Sequence, residues 1–250
     1  FYKIYADGGI QRLSGNAVSE IIETRDSKLW IATEDGGINI FDPVNGTFEY
    51  IKHVPGNPYS LSSNNVHALE EDMEGNIWIG TFIGGLNKYN RITKKIEAIN
   101  LTHPDPNMSY GVYSKCVFSI FIDSKKRIWA GAIGGLYMKD SNENSFFLYW
   151  PEVFQDKFVY HIEEDHQGNI WICTYNNGIF KLDPELKLSN YRTSQNTNIF
   201  SDRIVFFFRD SHNKIWFGTV EGGLIKYTPS LNQFKSYTDR DGLPNNTVYA

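Results

Sequence analysis

The sequence predicts an all-β fold, a β-propeller built of four-stranded antiparallel blades. One pattern of short apolar stretches and glycine turns recurs five times along the chain, each time around a tryptophan. The five anchors are Trp30, Trp78, Trp129, Trp171 and Trp216. They are 48, 51, 42 and 45 residues apart, a repeat length typical of propeller blades. The composition is 41% apolar and 15% aromatic, which supports a packed core and excludes disorder.

Charge and composition exclude several classes of partner. The net charge is −5 and the charges are interspersed, which argues against nucleic acid and an anionic membrane surface as main partners. Direct membrane insertion by this segment is not expected either, for want of a long apolar run. The six histidines are scattered, so neither a metal site nor a cofactor is expected. Cys116 and Cys173 lie at different repeat positions, so a disulfide is not required and two buried thiols are the favoured interpretation. No apolar run reaches the roughly 18 residues of a membrane span, and no signal peptide is present, although the chain begins at Phe1 rather than Met.

Each unit begins with a short, mostly buried first strand. An aliphatic residue lies twelve positions before each tryptophan and a second apolar residue nine positions before it. These pairs are Val18 and Ile21, Val66 and Leu69, Val117 and Ile120, Val159 and Ile162, and Ile204 and Phe207. An acid or Thr follows six positions before the tryptophan, as in Thr24 and Asp72, and a turn residue three positions before it. Gly and Asn suit such a turn because they tolerate positive φ, so Lys126 predicts a strained turn or a turn of another type.

The remaining strands follow in order. The second strand carries the tryptophan between apolar neighbours and is followed by a small residue, where close packing leaves no room for a side chain. Those small residues are Ala32, Gly80, Gly131, Cys173 and Gly218. A Gly-Gly or Asn-Gly turn then leads into the third strand. The fourth strand has apolar residues three apart, such as Phe48 and Ile51, a spacing that predicts a β-bulge or an edge twist.

The repeat divides the chain, residues 1–250, into five complete blades with partial blades at both ends. The units cover about 16–53, 65–100, 116–149, 158–192 and 203–238, residues 1–5 match the last strand of a preceding unit, and residues 247–250 begin a following one. Closing a ring of five would leave these end strands with unpaired edges. We therefore expect a fragment of a longer propeller.

At these positions the sequence resembles the two-component regulator propeller repeat. The resemblance is carried by the pattern V-x-x-I-x-E-D-x-x-G-N-I-W-I-G-T-x-x-G-G-L-x-K-Y-D-P and by the connector S-L-S-S-N-N-V at 60–66. Unit one departs from it at Thr24 and Ala32, and unit three departs at Lys126 and is one residue shorter before Leu136. The resemblance covers essentially the whole chain.

The resemblance implies a seven-bladed propeller in the periplasmic sensor region of a hybrid two-component system. In that family further blades, an immunoglobulin-like domain, a membrane helix, a histidine kinase and often a response regulator belong to the same chain. Many such sensors detect oligosaccharides. The implied partners are therefore an oligosaccharide, the downstream signalling domains and, by dimerisation, a second copy.

Repeated residues are interpreted as structural. The five tryptophans recur at one position, which indicates packing between blades rather than sugar platforms. Glu-Glu-Asp at 70–72 and at 163–165 resembles a carboxylate pair, but it recurs at corresponding positions, so strand-end turn chemistry is favoured over glycosidase chemistry. No catalytic residue is predicted.

Function is expected in the loops that do not repeat, because a fold by itself does not define a function. Turns from second to third strands and connections from fourth strands to the next blade emerge on one face of a propeller. Aromatic faces there could stack on sugar C–H bonds, and polar groups could bond the hydroxyls. The candidate ligand-binding residues are Glu34, Phe82, Tyr110, Tyr113, Trp150, Tyr175, Asn176 and Glu221. The hypothesis is an oligosaccharide sensor, and the alternatives are a propeller lyase or glycosidase and a non-catalytic protein-interaction scaffold.

Overall fold

The computed structural model describes residues 12–102, 116–195 and 198–249. Five antiparallel sheets follow one another along the chain, which confirms the all-β, four-stranded blade architecture. Blades 1 and 2 consist of β1 (Val18–Glu23), β2 (Leu29–Thr33), β3 (Gly37–Asp42), β4 (Thr47–Ile51), β5 (Val66–Glu71), β6 (Ile77–Thr81), β7 (Gly85–Tyr89) and β8 (Ile96–Ile99). In each blade the strands pair in chain order, and the first strands of successive blades contact one another at the centre.

The third blade has an addition that the sequence did not predict. Blades 3, 4 and 5 consist of β10 (Val117–Ile122), β11 (Ile128–Ala132), β12 (Gly135–Lys139) and β13 (Phe146–Leu148); β14 (Phe158–Glu164), β15 (Ile170–Tyr175), β16 (Gly178–Leu182) and β17 (Leu188–Tyr191); and β18 (Ile204–Arg209), β19 (Ile215–Thr219), β20 (Leu224–Thr228) and β21 (Gln233–Tyr237). The short strand β9 (Leu101–Thr102) pairs in parallel with β13 and extends the outer edge of blade 3. A helix of one turn, α1 (Pro151–Phe154), connects blade 3 to blade 4.

A β-bulge lies in the first strand of every blade and not, as predicted, in the fourth. The pairing register shifts between Val18 and Glu20, Val66 and Ala68, Val117 and Ser119, Val159 and His161, and Ile204 and Phe206. The extra residue explains why Val66 and Leu69, three positions apart, are both fully buried. The fourth strands pair regularly, as in Phe41 with Phe48 and Ile38 with Ile51.

The tryptophans pack between blades. Trp30 lies 5.2 Å from Tyr89 of blade 2, measured between ring centroids, and Trp171 lies 4.9 Å from Tyr227 of blade 5. The small residue two positions after the tryptophan makes this approach feasible. A Cβ on Gly131 would lie 2.7 Å from a methyl carbon of Val159 in the first strand of blade 4. A larger side chain is therefore excluded at this position because it would clash with the next blade, which is the close packing that the sequence predicted.

The acid six positions before each tryptophan joins the turn to the indole. Asp72 Oδ1 accepts hydrogen bonds from the backbone of Glu74 and Asn76, and its Oδ2 accepts one from Trp78 Nε1 at 3.1 Å. Equivalent indole bonds of 2.8, 2.7 and 2.9 Å join Trp129 to Asp123, Trp171 to Asp165 and Trp216 to Asp210. Blade 1 has Thr24 at this position, and Trp30 Nε1 is buried there without a hydrogen-bond partner.

Thr24→Asp is expected to stabilise the protein. The new carboxylate would accept from Trp30 Nε1 in the geometry of the other blades, and satisfying a buried donor contributes about 1 kcal/mol. Chemical denaturation should show a gain of that size. Asp165→Thr, the reverse change in blade 4, should lower the free energy of unfolding, and a loss of stability in Thr24→Asp would contradict this explanation.

Lys126 adopts the same turn as the glycines of other blades, so the alternative of another turn type is wrong. Its φ is +64°, close to that of Ser27 at +60° in blade 1. Lys126 N donates to Asp123 O at 2.8 Å, as Gly75 N donates to Asp72 O at 3.0 Å. A side chain at positive φ is disfavoured relative to glycine, so the turn at Lys126 is strained, as the sequence predicted.

Replacing Lys126 by glycine is expected to raise the free energy of unfolding by about 0.5–1 kcal/mol, because glycine adopts positive φ without a steric penalty. The measurement is denaturant unfolding of Lys126→Gly beside Lys125→Gly. The control residue is exposed and adjacent but is not at positive φ, so its replacement should destabilise slightly. Equal effects of the two changes would refute the role of φ.

Candidate functional site

One face of the blades, here called the upper face, carries the turns between second and third strands. In blades 1, 2, 3 and 5 a backbone hydrogen bond joins this turn to the connection that leads into the first strand of the same blade, and in blade 4 the turn is bonded to Asp202 before blade 5. Glu34 N donates to Ala17 O and Phe82 N to Asn65 O, both at 2.9 Å. These bonds hold Glu34 and Phe82 at the start of the innermost strands, and therefore at the centre of the upper face.

The first-strand bulges add a second set of side chains at this centre. The bulge places one additional residue eleven positions before the tryptophan, which is His67 in blade 2, Phe118 in blade 3 and Tyr160 in blade 4. A bulge reorients its side chain and recurs beside functional sites. The three rings come from different blades and meet at Phe118, whose centroid lies 4.8 Å from His67 and 5.3 Å from Tyr160.

Together these side chains form a continuous surface that we call the aromatic rim. Its members are His67, Phe82, Phe118, Phe158, Tyr160 and Tyr175, and all six are partly exposed. Phe158 connects the two ends, with its ring centroid 4.8 Å from that of Phe118 and 5.6 Å from that of Tyr175. The rim thus crosses blades 2, 3 and 4 and presents ring faces and edges to solvent.

Polar groups flank the aromatic rim. Arg203 forms a side-chain hydrogen bond to Tyr175 and an ion pair with Glu221, and these partners raise the pKa of its guanidinium. Burial lowers the pKa of His67, against the opposing field of Glu34, so this imidazole is neutral near pH 7. The site therefore combines stacking surfaces with carboxylate and guanidinium groups that can bond hydroxyls.

The candidate residues named from the sequence fall into three groups. Phe82 and Tyr175 belong to the aromatic rim, and the exposed Glu34, Asn176 and Glu221 lie beside it. Trp150 is 39% exposed and makes its ring contact with Tyr149, at 6.4 Å between centroids, so the structure does not bring it to the rim. Tyr110 and Tyr113 lie outside the described residues.

Sequence reasoning missed His67, Phe118, Phe158, Tyr160 and Arg203. A signal was present, because the position eleven residues before the tryptophan varies inside an otherwise repeated strand. It is occupied by Ser19, His67, Phe118, Tyr160 and Val205. Non-repeating functional residues were expected in the loops, whereas the bulge brings a strand residue to the upper face.

Three glutamates from the innermost strands converge below the aromatic rim, and we call them the central carboxylates. They are Glu20 on β1, Glu70 on β5 and Glu163 on β14. Burial, reinforced by the charges of the other two, raises the pKa of Glu70 to about 8. Burial likewise raises the pKa of Glu20 and of Glu163 to about 7, and Arg209 opposes the effect at Glu163.

In the two Glu-Glu-Asp stretches, 70–72 and 163–165, the second Glu and the Asp stabilise turns, whereas the first Glu belongs to the central carboxylates. Glu71 Oε2 accepts from Arg25 N, and Glu164 Oε2 accepts from Ser124 N, both at 2.8 Å in the turn of the preceding blade. The strand-end turn chemistry expected for these stretches therefore applies to the second Glu and to the Asp. Glu70, by contrast, lies among the central carboxylates.

Metal ligands, thiols and membrane-spanning helices are the remaining features of the described residues that could indicate a function. Within 12–102, 116–195 and 198–249, no group of three His, Cys, Asp or Glu side chains could hold a metal ion. Cys116 and Cys173 are separate buried thiols, and burial raises the pKa of Cys173 far above its usual range. No helix in these ranges is long and apolar enough to span a bilayer.

Comparison with known proteins supports the family resemblance. The two component regulator propeller family model matches residues 60–82 and 154–176. The extracellular domain assigned to the hybrid two component system BT3049 of B. thetaiotaomicron is 28% identical, with a TM-score of 0.78 over 97% of this chain and 31% of that one. No curated protein matches the sequence. The chain thus spans about a third of the length of this relative.

Two further solved structures share the fold. The extracellular domain assigned to the one component system BT4673 of B. thetaiotaomicron is 21% identical, with a TM-score of 0.70 over 89% of this chain and 31% of that one. Virginiamycin B lyase from Staphylococcus aureus is 14% identical, with a TM-score of 0.65 over 92% of this chain and 71% of that one. At these identities the likeness concerns the fold alone. The chain is therefore a β-propeller, and within it residues 60–82 and 154–176 match the two component regulator propeller repeat.

Proposed function

We propose that this chain is the ligand-sensing propeller portion of an extracytoplasmic, periplasmic two-component sensor, and that an oligosaccharide binds on the aromatic rim. A relative that is 28% identical is an extracellular domain assigned to a hybrid two component system. Further blades of the same chain complete the ring, and a histidine kinase follows downstream. The ligand acts by its differential affinity for two states of the sensor, and a homodimer is one form those states can take.

The observation that carries this proposal is the aromatic rim itself. Its six partly exposed rings come from three blades and form one surface. Ligand sites typically combine such apolar surface with a few placed polar groups. Here Glu34, Arg203 and Glu221 supply them. A pyranose ring presents apolar C–H faces to the rings and hydroxyls to these flanking groups.

A propeller lyase or glycosidase is the second candidate. Its support is the central carboxylate Glu70, whose raised pKa of about 8 would suit a general acid at neutral pH. A pure interaction scaffold is the third alternative, since exposed aromatic side chains also occur at protein interfaces, and it predicts that no sugar binds. Turnover separates the enzyme from the sensor, and saturable sugar binding separates both from the scaffold.

The test is calorimetric titration of the chain with a panel of defined oligosaccharides, with chromatography of the mixtures to detect products. We expect saturable binding without turnover. Phe118→Ala should weaken binding about tenfold or more, which corresponds to about 1.4 kcal/mol. Phe147→Ala is the matched control because Phe147 is a 41% exposed phenylalanine on β13 of the same blade, and it should bind normally.

Three results would overturn the proposal. Product formation that depends on Glu70 would favour the enzyme, and equal binding by Phe118→Ala and Phe147→Ala would place the ligand elsewhere. Absence of binding across the panel would favour the scaffold.

A further inference from the structure

The charges around the aromatic rim are predominantly negative. Two carboxylates, Glu34 and Glu221, lie beside the rings. The three central carboxylates Glu20, Glu70 and Glu163 lie below them, close enough for their charges to act on one another. Against these five stand two guanidinium groups named in the same interactions, Arg203 beside Glu221 and Arg209 near Glu163.

The histidines at this centre do not offset the negative charge. Burial lowers the pKa of His161 to about 4 and also lowers that of His67. Both imidazoles are therefore neutral near pH 7. Near pH 7 the negative charge comes from Glu34 and Glu221 and in part from Glu20 and Glu163, whose pKa is about 7. Glu70, with a pKa of about 8, adds its charge as the pH rises further.

Arg203 and Arg192 are guanidinium groups near the rim that could receive an acidic sugar, and Arg192, whose Nη2 donates to Asn176 O, is paired with Asp202. An arginine binds a carboxylate or sulfate best through two parallel N–H bonds. Arg203, however, is already bonded to the Tyr175 side chain and to Glu221. An acidic ligand would either compete with Glu221 for Arg203 or bind the remaining N–H groups beside the Glu221 carboxylate, which would repel it.

We infer that the aromatic rim binds glycans without acidic groups and rejects those that carry carboxylates or sulfates. The inference rests on the proposed function, since it names the ligand class of the same site. Like charges brought together at a binding surface exclude wrong partners without improving contacts to the right one. The aromatic rim supplies affinity, and the negative groups beside and below it supply this selectivity.

The first arm of the test compares hexasaccharides that differ only at C6. The probes are mannohexaose with the mannuronate hexamer and galactohexaose with the galacturonate hexamer. At low salt and pH 8.5, where most of the central carboxylates are ionised, the acidic member of each bound pair should bind at least tenfold more weakly. The variant E20Q/E70Q/E163Q should reduce that ratio to threefold or less, and E97Q/E143Q/E185Q, three exposed glutamates elsewhere, should leave it unchanged.

The second arm needs no bound sugar and decides the charge selectivity by itself. A nitroxide is attached through Ser19→Cys, at the bulge position of blade 1, and through Thr47→Cys on the outer strand β4; both residues are exposed and the two native cysteines are buried. Electron spin resonance then compares collisions with neutral nickel–EDDA and anionic chromium oxalate. We expect the ratio of anionic to neutral collisions to be at least twofold lower at residue 19.

Equal binding within the pairs, or equal collision ratios at the two labels, overturns the inference. If no hexasaccharide binds but chromium oxalate is excluded at residue 19, the proposed function fails while the charge selectivity stands. If mannohexaose binds as tightly as its uronate, the proposed function stands and the selectivity fails.

Discussion

Replacing Trp171 by alanine is expected to lower the free energy of unfolding by about 3–5 kcal/mol, the usual loss for a buried large aromatic. The side chain is fully buried, its ring centroid lies 5.4 Å from that of Phe217 in blade 5, and its indole donates to Asp165 at 2.7 Å. The substitution leaves a cavity between two blades and removes one of the hydrogen bonds that Asp165 accepts, while those from Gln167 and Asn169 remain. Denaturant unfolding followed by circular dichroism measures the loss.

Trp216→Ala is the matched control. Trp216 occupies the same repeat position and donates the same bond to Asp210, but within the described residues it is only half-buried because no complete blade packs against that side of blade 5. Since less apolar surface is lost, we expect about 1–2 kcal/mol. Equal losses for the two variants, or a loss below about 1 kcal/mol for Trp171→Ala, would contradict the assignment of the tryptophans to interblade packing.

The second large effect concerns pH. A carboxyl whose pKa is higher in the folded chain than in the unfolded chain binds its proton more tightly when folded, so its ionisation opposes folding. The pKa of Glu70 rises from 4.5 to about 8. Stability should therefore be greatest at about pH 5 and fall as the pH rises to about 8, and Glu20 and Glu163 act in the same direction.

Glu70→Gln removes the share of Glu70 in this decline. We expect the variant to exceed the natural chain by about 1–3 kcal/mol at pH 8 and to match it near pH 5. The control is Glu97→Gln, an exposed glutamate on β8, which should change little at either pH. If Glu70→Gln has the same effect at both pH values, packing rather than charge sets the role of Glu70.

Much of the fold was predictable because each blade reuses the same local solutions. Val66 and Leu69 mark a first strand, Gly75 a turn and Trp78 a second strand, and the same order recurs in the other blades. Period and turn chemistry depend on neighbours in sequence, so they can be read from it. The strand β9 could not, because its parallel pairing with β13 depends on the path of a connection that has no repeat.

The candidate site was predicted only in part because it depends on register and on contacts between blades. Phe82 and Tyr175 were found since they follow second strands in unrepeated turns. Phe118 and Tyr160 were missed because a bulge, not a loop, brings them to the upper face. The ring of Phe118 lies against those of His67, 51 positions before it, and Tyr160, 42 positions after it. Sequence periodicity does not encode which unrepeated residues meet.

The most direct test of the central claim is a crystal structure of the chain with a hexasaccharide identified by titration. The account predicts a pyranose ring stacked within about 4 Å of the Phe118, Phe158 or Tyr160 rings, near contact distance for apolar atoms, with hydroxyls bonded to Glu34, Arg203 or Glu221. Sugar bound elsewhere, with the aromatic rim left in solvent, would contradict it.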